Sequence, residues 1–189
     1  MDKINGIAII GPPGSGKSVI GRVAVESFDN MVYISSGDIA RSIASTDELT
    51  RYNISHGKMA PEDIMRDALY QALCEINKSG MEFMLDGCPR NLDQLEWLLS
   101  LFPNTRFYVV KAHDVDCITR MLERDRDDDT RETIKRRIDY YNQYTAPIIN
   151  VIDFTLIPNS QSLYDAVAIM EYNIRRQIYE TESKQVRQI

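Results

Sequence analysis

Nowhere in the 189 residues is there an apolar run approaching the ~20 residues that a membrane-spanning helix requires. Residues 1–3 precede the first strand pattern without a signal-peptide pattern, so a cytoplasmic setting with no membrane partner is expected. A basic surplus is missing too: 22 Lys and Arg face 28 Asp and Glu, a formal net charge of -6. That balance argues against broad nucleic-acid or acidic-membrane binding, since both need a positive surface. Any anionic ligand must therefore be held by local clusters of Arg and Lys. Cysteine is scarce and badly spaced for metal: Cys74, Cys88 and Cys117 form no C-x-x-C pair and read as free thiols. No internal repeat or low-complexity segment occurs, and the charged end from Arg175 to Ile189 reads as a helical extension or frayed tail.

What is present is ordinary for a globular chain, with 43% hydrophobic and 26% charged residues, and the length suits one domain over 1–189. Ile4 to Ile10 is an apolar run ending at Gly11, the pattern of a strand buried on both faces, and Lys17 to Ser27 then carries apolar residues at helical spacing. The alternation continues with strands at Met31 to Ile34, Phe83 to Asp86, Arg106 to Lys111 and Phe154 to Ile157. Helices are expected at Pro61 to Lys78, Leu92 to Leu101, Val115 to about Arg126, Glu132 to Tyr144 and from Ser162 onward. Strands alternating with helices imply right-handed crossovers and a parallel sheet covered on both faces. Ligands of such sheets sit beyond the carboxyl ends of the strands.

Gly11-Pro12-Pro13-Gly14-Ser15-Gly16-Lys17-Ser18 matches G-x-x-x-x-G-K-[ST] between a strand and a helix, where a phosphate loop has to be. The four fixed positions arise by chance in ~1 chain in 100 of this length, before context is counted. Glycines let successive backbone N–H groups turn toward one anion, and the helix N-terminus adds partial positive charge. Gly11, Pro13, Gly14, Ser15 and Gly16 would line a bound triphosphate. Lys17 would reach its β- and γ-phosphates, and the Ser18 hydroxyl would meet Mg²⁺. A GTPase, an ATPase and a small-molecule kinase all share this loop.

Three further segments narrow the choice. Ser35-Ser36-Gly37-Asp38-Ile39-Ala40-Arg41 follows the second strand, and Leu85-Asp86-Gly87-Cys88-Pro89-Arg90-Asn91 follows the third. Arg120-Met121-Leu122-Glu123-Arg124-Asp125-Arg126 leads into Asp127, Asp128 and Asp129 and then Glu132-Thr133-Ile134-Lys135-Arg136-Arg137. With the phosphate loop, in this order and spacing, these segments resemble the adenylate kinase family of nucleoside monophosphate kinases over about Ile7 to Pro147. The resemblance implies a P-loop NTPase-type three-layer α/β/α fold with a five-stranded parallel sheet. It also implies a small acceptor-binding insert over 36–65 and a minimal lid over 124–130. ATP is the implied donor, with Mg²⁺, a nucleoside monophosphate is the implied acceptor, and a monomer is expected.

The chemistry accounts for the residue types. A monophosphate is already an anionic nucleophile, so the work left to the protein is positioning and neutralising charge on the transferring group. Guanidinium stays charged and grips phosphate bidentately, which suits arginine to that work. By matching position, the resemblance gives Arg41 and Arg90 the acceptor phosphate and Arg124, Arg126 and Arg137 the transferring phosphoryl. Arg120 is set to stack on the donor adenine, while Asp38 and Asp86 orient waters on Mg²⁺. Arg131 and Arg136 match no ligand position and read as surface charges. Asp127 to Asp129 fit either an acid-rich helix start or a part in lid closure, and Tyr140, Tyr141 and Tyr144 read as helix packing.

Acceptor choice rests on few positions. Gly57-Lys58-Met59-Ala60 resembles the turn that meets the acceptor nucleoside, with Gly87 beside it. Ser36 stands where adenylate kinases carry Thr and UMP/CMP kinases Ala. Gln94 stands where adenylate kinases carry a Gln that bonds adenine and UMP/CMP kinases carry Asn. Both favour AMP or dAMP, whereas Arg90-Asn91 followed by Asp93 resembles the UMP/CMP kinase version. Pyrimidine or broad deoxynucleotide use therefore stays open, as do a metabolite kinase and a nucleotide-bound regulator. Three departures stand out: Ser18-Val19 replaces the usual Gly-Thr, the acceptor insert is short, and the lid is nearly a turn with no zinc-binding cysteines.

Overall fold

A computed structural model describes residues 6–124, 126 and 128–186. Ile4 and Asn5 of the first expected strand, Asp125 and Asp127 of the acidic run, and the last three residues of the expected tail lie outside the described residues.

Five parallel strands, β1 (Gly6–Ile10), β2 (Met31–Ser35), β3 (Glu82–Asp86), β4 (Thr105–Lys111) and β5 (Phe154–Pro158), stand in the order β2-β3-β1-β4-β5. Between them run α1 (Lys17–Val25), α2 (Ser36–Ala44), α3 (Glu48–Ser55), α4 (Glu62–Lys78), α5 (Leu92–Leu101), α6 (Asp114–Glu123), α7 (Arg131–Tyr140) and α8 (Leu163–Val186). Side-chain alternation along the central strands sorts the core into two layers. Ala8, Ile10, Phe83, Leu85, Phe107 and Val109 face α4 and α5, while Ile7, Ile9, Met84, Tyr108 and Val110 face α1 and α8. The expected three-layer architecture and five-stranded sheet are both present. Strand β1 lies at the centre, so its loop opens where the crossovers change direction, the usual ligand position in such sheets.

Three stretches differ from the sequence expectation. The segment between β2 and α4 folds into α2 and α3, each opened by a local cap: Ser35 accepts from the Asp38 N–H and Asp47 from the Thr50 N–H. Helix α6 stops at Glu123 rather than near Arg126, because acids at 125 and 127–129 are unfavourable at a helix C-terminus. Helix α7 stops at Tyr140 and widens into a π turn over Tyr141–Thr145, followed by a 3₁₀ turn over Ala146–Asn150. Pro147 has no N–H to offer the carbonyl of Gln143, and its ring crowds that carbonyl. All three cysteines are free, and burial pushes the Cys88 thiol up to about 12, leaving it inert at neutral pH.

Candidate active site

Helix α1 begins at Lys17 with Gly16 as its N-cap, at φ 92°, and carries no acid in its first turn. Its first N–H groups therefore face the loop Gly11–Gly16 with no side-chain acceptor, unlike those of α2, α3, α5 and α7. Gly16 has to be glycine on two counts. Its φ is left-handed, and a Cβ would stand 2.3 Å from Asn159 Nδ2. Asn159, just past β5, donates to the Ser15 carbonyl at 2.7 Å and fixes the loop from the far side. Lys17 Nζ donates to the Gly11 and Pro12 carbonyls, both at 2.8 Å. Burial pushes its pKa down to about 8, with Asp86 pulling the other way and Arg90 adding to the fall.

Next to Lys17 stands an acidic corner. Asp86, buried at the end of β3, accepts from Ser18 Oγ at 2.5 Å and from Tyr33 Oη at 2.8 Å. Asp38, by contrast, is half exposed and paired with Arg22 and Arg41. The structure thus joins Ser18 to Asp86 and holds Asp38 in a separate ion-pair cluster on the surface.

Arg90 sits across from the loop. Its Nε donates to the Gly87 carbonyl at 2.5 Å, Nη2 to Ser36 Oγ at 3.3 Å and Nη1 to Met59 Sδ at 3.3 Å. Ser36 Oγ donates in turn to the Gly87 carbonyl at 2.7 Å, so this hydroxyl positions Arg90 and Gly87. Thr145 Oγ1, from the π turn, donates to the Arg90 carbonyl at 2.7 Å. Burial lowers the proton affinity of the Arg90 guanidinium, with nearby Arg137 adding to the fall and Asp86 opposing it. Lys58 is exposed with its ammonium 5.6 Å from the Tyr52 ring centroid, and Ala60 packs on the core beneath.

The remaining arginines converge where α6 meets α7. Asp129, whose side chain is 2% exposed, accepts from both Arg124 and Arg137, and Asp128 accepts from Arg137. Asp129 would be raised by burial, yet Arg124 and Arg137 hold its carboxyl below the usual range. Asp128 and Asp129 thus bind arginines across the α6–α7 corner. Arg126 lines a cavity of about 370 Å³ with Arg41, Arg51, Ile54 and Asp128. Partial desolvation, then repulsion from Arg124 and Arg41, lowers its affinity for its proton. Crowded guanidinium groups of this kind gain most from a bound polyanion. Arg120 lies beside the phosphate loop, its Nη2 donating to the Asn159 carbonyl at 3.0 Å.

The adenylate kinase family model matches residues 9–155. The chain belongs to that family. Relatives include an adenylate kinase from Prochlorococcus marinus, 29% identical over 153 residues, covering 76% of this chain and 81% of the relative. Adenylate kinase 1 from a Nostoc species is 31% identical over 76% of this chain and 82% of its own. UMP-CMP kinase 2 from Caenorhabditis elegans is 34% identical over 77% and 81%. This adenylate kinase family member is therefore an enzyme, a nucleoside monophosphate kinase.

Five participants in the site of this family member are absent from the sequence reading: Asn159, Tyr33, Thr145, Glu62 and Arg22. Each acts across a long separation, from 16 residues for Arg22–Asp38 to 144 for Asn159–Ser15, or through backbone carbonyls. Only Asn159 leaves a local trace, as a polar residue directly after a strand. Arg136, read as a surface charge, donates from Nη1 to the His56 carbonyl at 2.9 Å. Tyr140 does more than pack: it is half-buried near Arg90, with its ring 4.8 Å from that of Tyr144.

Proposed function

We propose that this nucleoside monophosphate kinase transfers the γ-phosphoryl of ATP to AMP or dAMP, with 36–65 acting as the acceptor insert and 124–130 as a short lid. The acceptor choice is carried by Gln94. Its Oε1 accepts from the Arg90 backbone N–H at 2.8 Å, and its Nε2 donates to Glu62 Oε2 at 2.7 Å. A backbone N–H can only donate and a carboxylate can only accept, so the amide orientation is fixed from both ends. What the pair offers a base is one remaining Nε2 proton beside a carboxylate acceptor. That combination complements a ring nitrogen beside an exocyclic amine, the edge of adenine. Cytosine carries the same edge, which makes CMP the second acceptor, whereas uracil and hypoxanthine present the reverse order of donor and acceptor.

Donor and metal fit the residues present. Ser15 Oγ is fully buried and Arg120 Nη1 is buried, and neither has a partner among the described residues, as expected for groups facing a ligand. The loop N–H groups and Lys17 would hold the triphosphate, and Arg120 with the segment at Asn159 would hold the base. The described residues contain no cluster of three acids, His or Cys for a metal. Ser18 and Asp86 instead supply an oxygen pair suited to Mg²⁺, which keeps much of its hydration shell. Bound there, the ion would neutralise phosphate charge. Arg90 and Arg41 would orient the acceptor phosphate, while Arg124, Arg126 and Arg137 spread positive charge around the group in flight.

Initial rates with ATP, Mg²⁺ and a panel of AMP, dAMP, CMP, UMP and IMP test the proposal. We expect AMP and dAMP first, CMP next, and IMP and UMP lower by about two orders of magnitude in kcat/KM, as for a site whose polar groups are left unpaired. Glu62→Gln should narrow the AMP to IMP ratio, and Arg90→Ala should cost at least about 100-fold. IMP matching AMP would overturn the base assignment. Absence of turnover with every acceptor would overturn AMP as the acceptor.

A further inference from the structure

We infer that Arg136 is a positioning residue, a latch that holds the far end of the acceptor insert against α7. The inference rests on the proposed function for what the insert binds, and on geometry for the latch itself. Helix α3 ends at Ser55, and the carbonyls of Tyr52, Asn53 and Ile54 in its last turn accept from the backbone N–H groups of His56, Lys58 and Gly57. Arg136 Nη1 donates to the carbonyl just past the helix, that of His56, at 2.9 Å, placing positive charge at the negative end of the helix. Its other nitrogen, Nη2, is held at 2.5 Å by Glu132, one turn earlier on α7, so the guanidinium is aimed before it reaches the insert.

The adjacent contact is backbone on backbone. Gly57 is buried at φ +68°, and a Cβ there would lie 2.9 Å from the Thr133 carbonyl oxygen and 3.0 Å from its Cα. Only glycine allows that approach at that φ. Both surfaces are firm. The Thr133 hydroxyl is shared within the capping box with Thr130 and donates to the Asp128 carbonyl at 2.6 Å. The His56 ring lies 4.1 Å from that of Tyr52, and its Nδ1 is 2.7 Å from the Tyr52 carbonyl.

Position gives the latch its consequence. Arg136 reaches outward to the insert, while its neighbour Arg137 is held by Asp128 and Asp129 at the α6–α7 corner. Helix α7 therefore fixes the insert and a phosphoryl-neutralising arginine in one frame. Part of the contact that closes the insert comes from the protein, so the acceptor has less ordering to drive.

The test compares wild type with Arg136→Ala, Arg136→Lys and Gly57→Ala, the last acting by steric collision rather than charge. Hydrogen exchange of peptides covering 53–60 should speed up in Arg136→Ala and Gly57→Ala. In Arg136→Ala the acceptor KM should rise about fivefold to tenfold, the scale of one ordinary hydrogen bond, with kcat and the ATP KM held. Arg136→Lys, which also reaches a carbonyl, should recover most of the change. Unchanged exchange in both variants would overturn the latch, as would a fall in kcat with both KM values raised, the pattern of general damage to α7. If wild type phosphorylates no monophosphate, the functional reading fails, and the exchange comparison alone decides the latch.

Discussion

Lys17 donates to two carbonyls of its own loop while burial holds its pKa near 8 against an ordinary value of 10.5. The unfolded chain therefore binds more protons between about pH 8 and 10.5, so this residue makes stability rise with pH across that window. Ligand binding has the opposite sign. A triphosphate raises the lysine pKa again, so binding near pH 8.5 takes up a proton, and affinity falls as pH climbs above 8. Calorimetry of ATP binding in two buffers of different ionisation enthalpy should report net proton uptake, and Lys17→Arg should abolish it. Zero uptake in wild type would contradict the assignment. Legibility in sequence was high for this kind of residue, because a lysine at a fixed place in a glycine loop is a local pattern. It was low for Gln94, whose type was readable but whose carbonyl is held by the Arg90 N–H and whose amide donates to Glu62, the acceptor group of the proposed base contact.

At the scale of elements, the strands and the longer helices could be read from apolar runs, and α5 lies where its periodicity puts it, Leu92–Leu101. The elements missed were short or interrupted. Helices α2 and α3 have 9 and 8 residues, too few for a clear repeat, although the caps Ser35 and Asp47 mark their starts. The α6–α7 corner is not legible in periodicity because its order comes from ion pairs. Asp129 is nearly covered and serves two arginines, whereas Asp128 has 19% side-chain exposure and serves one. Removing a covered partner leaves uncompensated charge, at a cost of about 3 kcal/mol, with some relief because Arg124 is a third exposed. Thermal melts should therefore place Asp129→Ala below Asp128→Ala, and Asp128→Ala below wild type. Added ATP should raise the melting temperature of Asp129→Ala more than that of wild type, since phosphate offers the stranded guanidinium groups a replacement. Equal melting temperatures for the two variants would show that the corner is not held as described.

Across the whole molecule, the sheet order β2-β3-β1-β4-β5 gathers the loop after β1, Asp86 and Arg90 after β3, and Asn159 after β5 at one end of the sheet. Alternating strands and helices announced that convergence, while the pairings across it depend on register and on side chains up to 144 residues apart. The same architecture limits closure. Helix α6 ends at Glu123 and α7 begins at Arg131, so the proposed lid between them has only the seven positions 124–130. In a phosphotransferase the lid excludes water from the transferring group and assembles charge only around the right acceptor. If 124–130 is the lid and Arg124, Arg126 and Arg137 stabilise the departing charge, as proposed, water should be able to compete for the γ-phosphoryl of ATP. ATP with Mg²⁺ and no acceptor should therefore release ADP above the blank. Lys17→Ala should remove that release, which separates it from a contaminating ATPase, and saturating AMP should redirect the γ-phosphoryl from inorganic phosphate into ADP. A rate indistinguishable from the blank would mean that the short lid, with the latched insert, excludes water as well as a long one does.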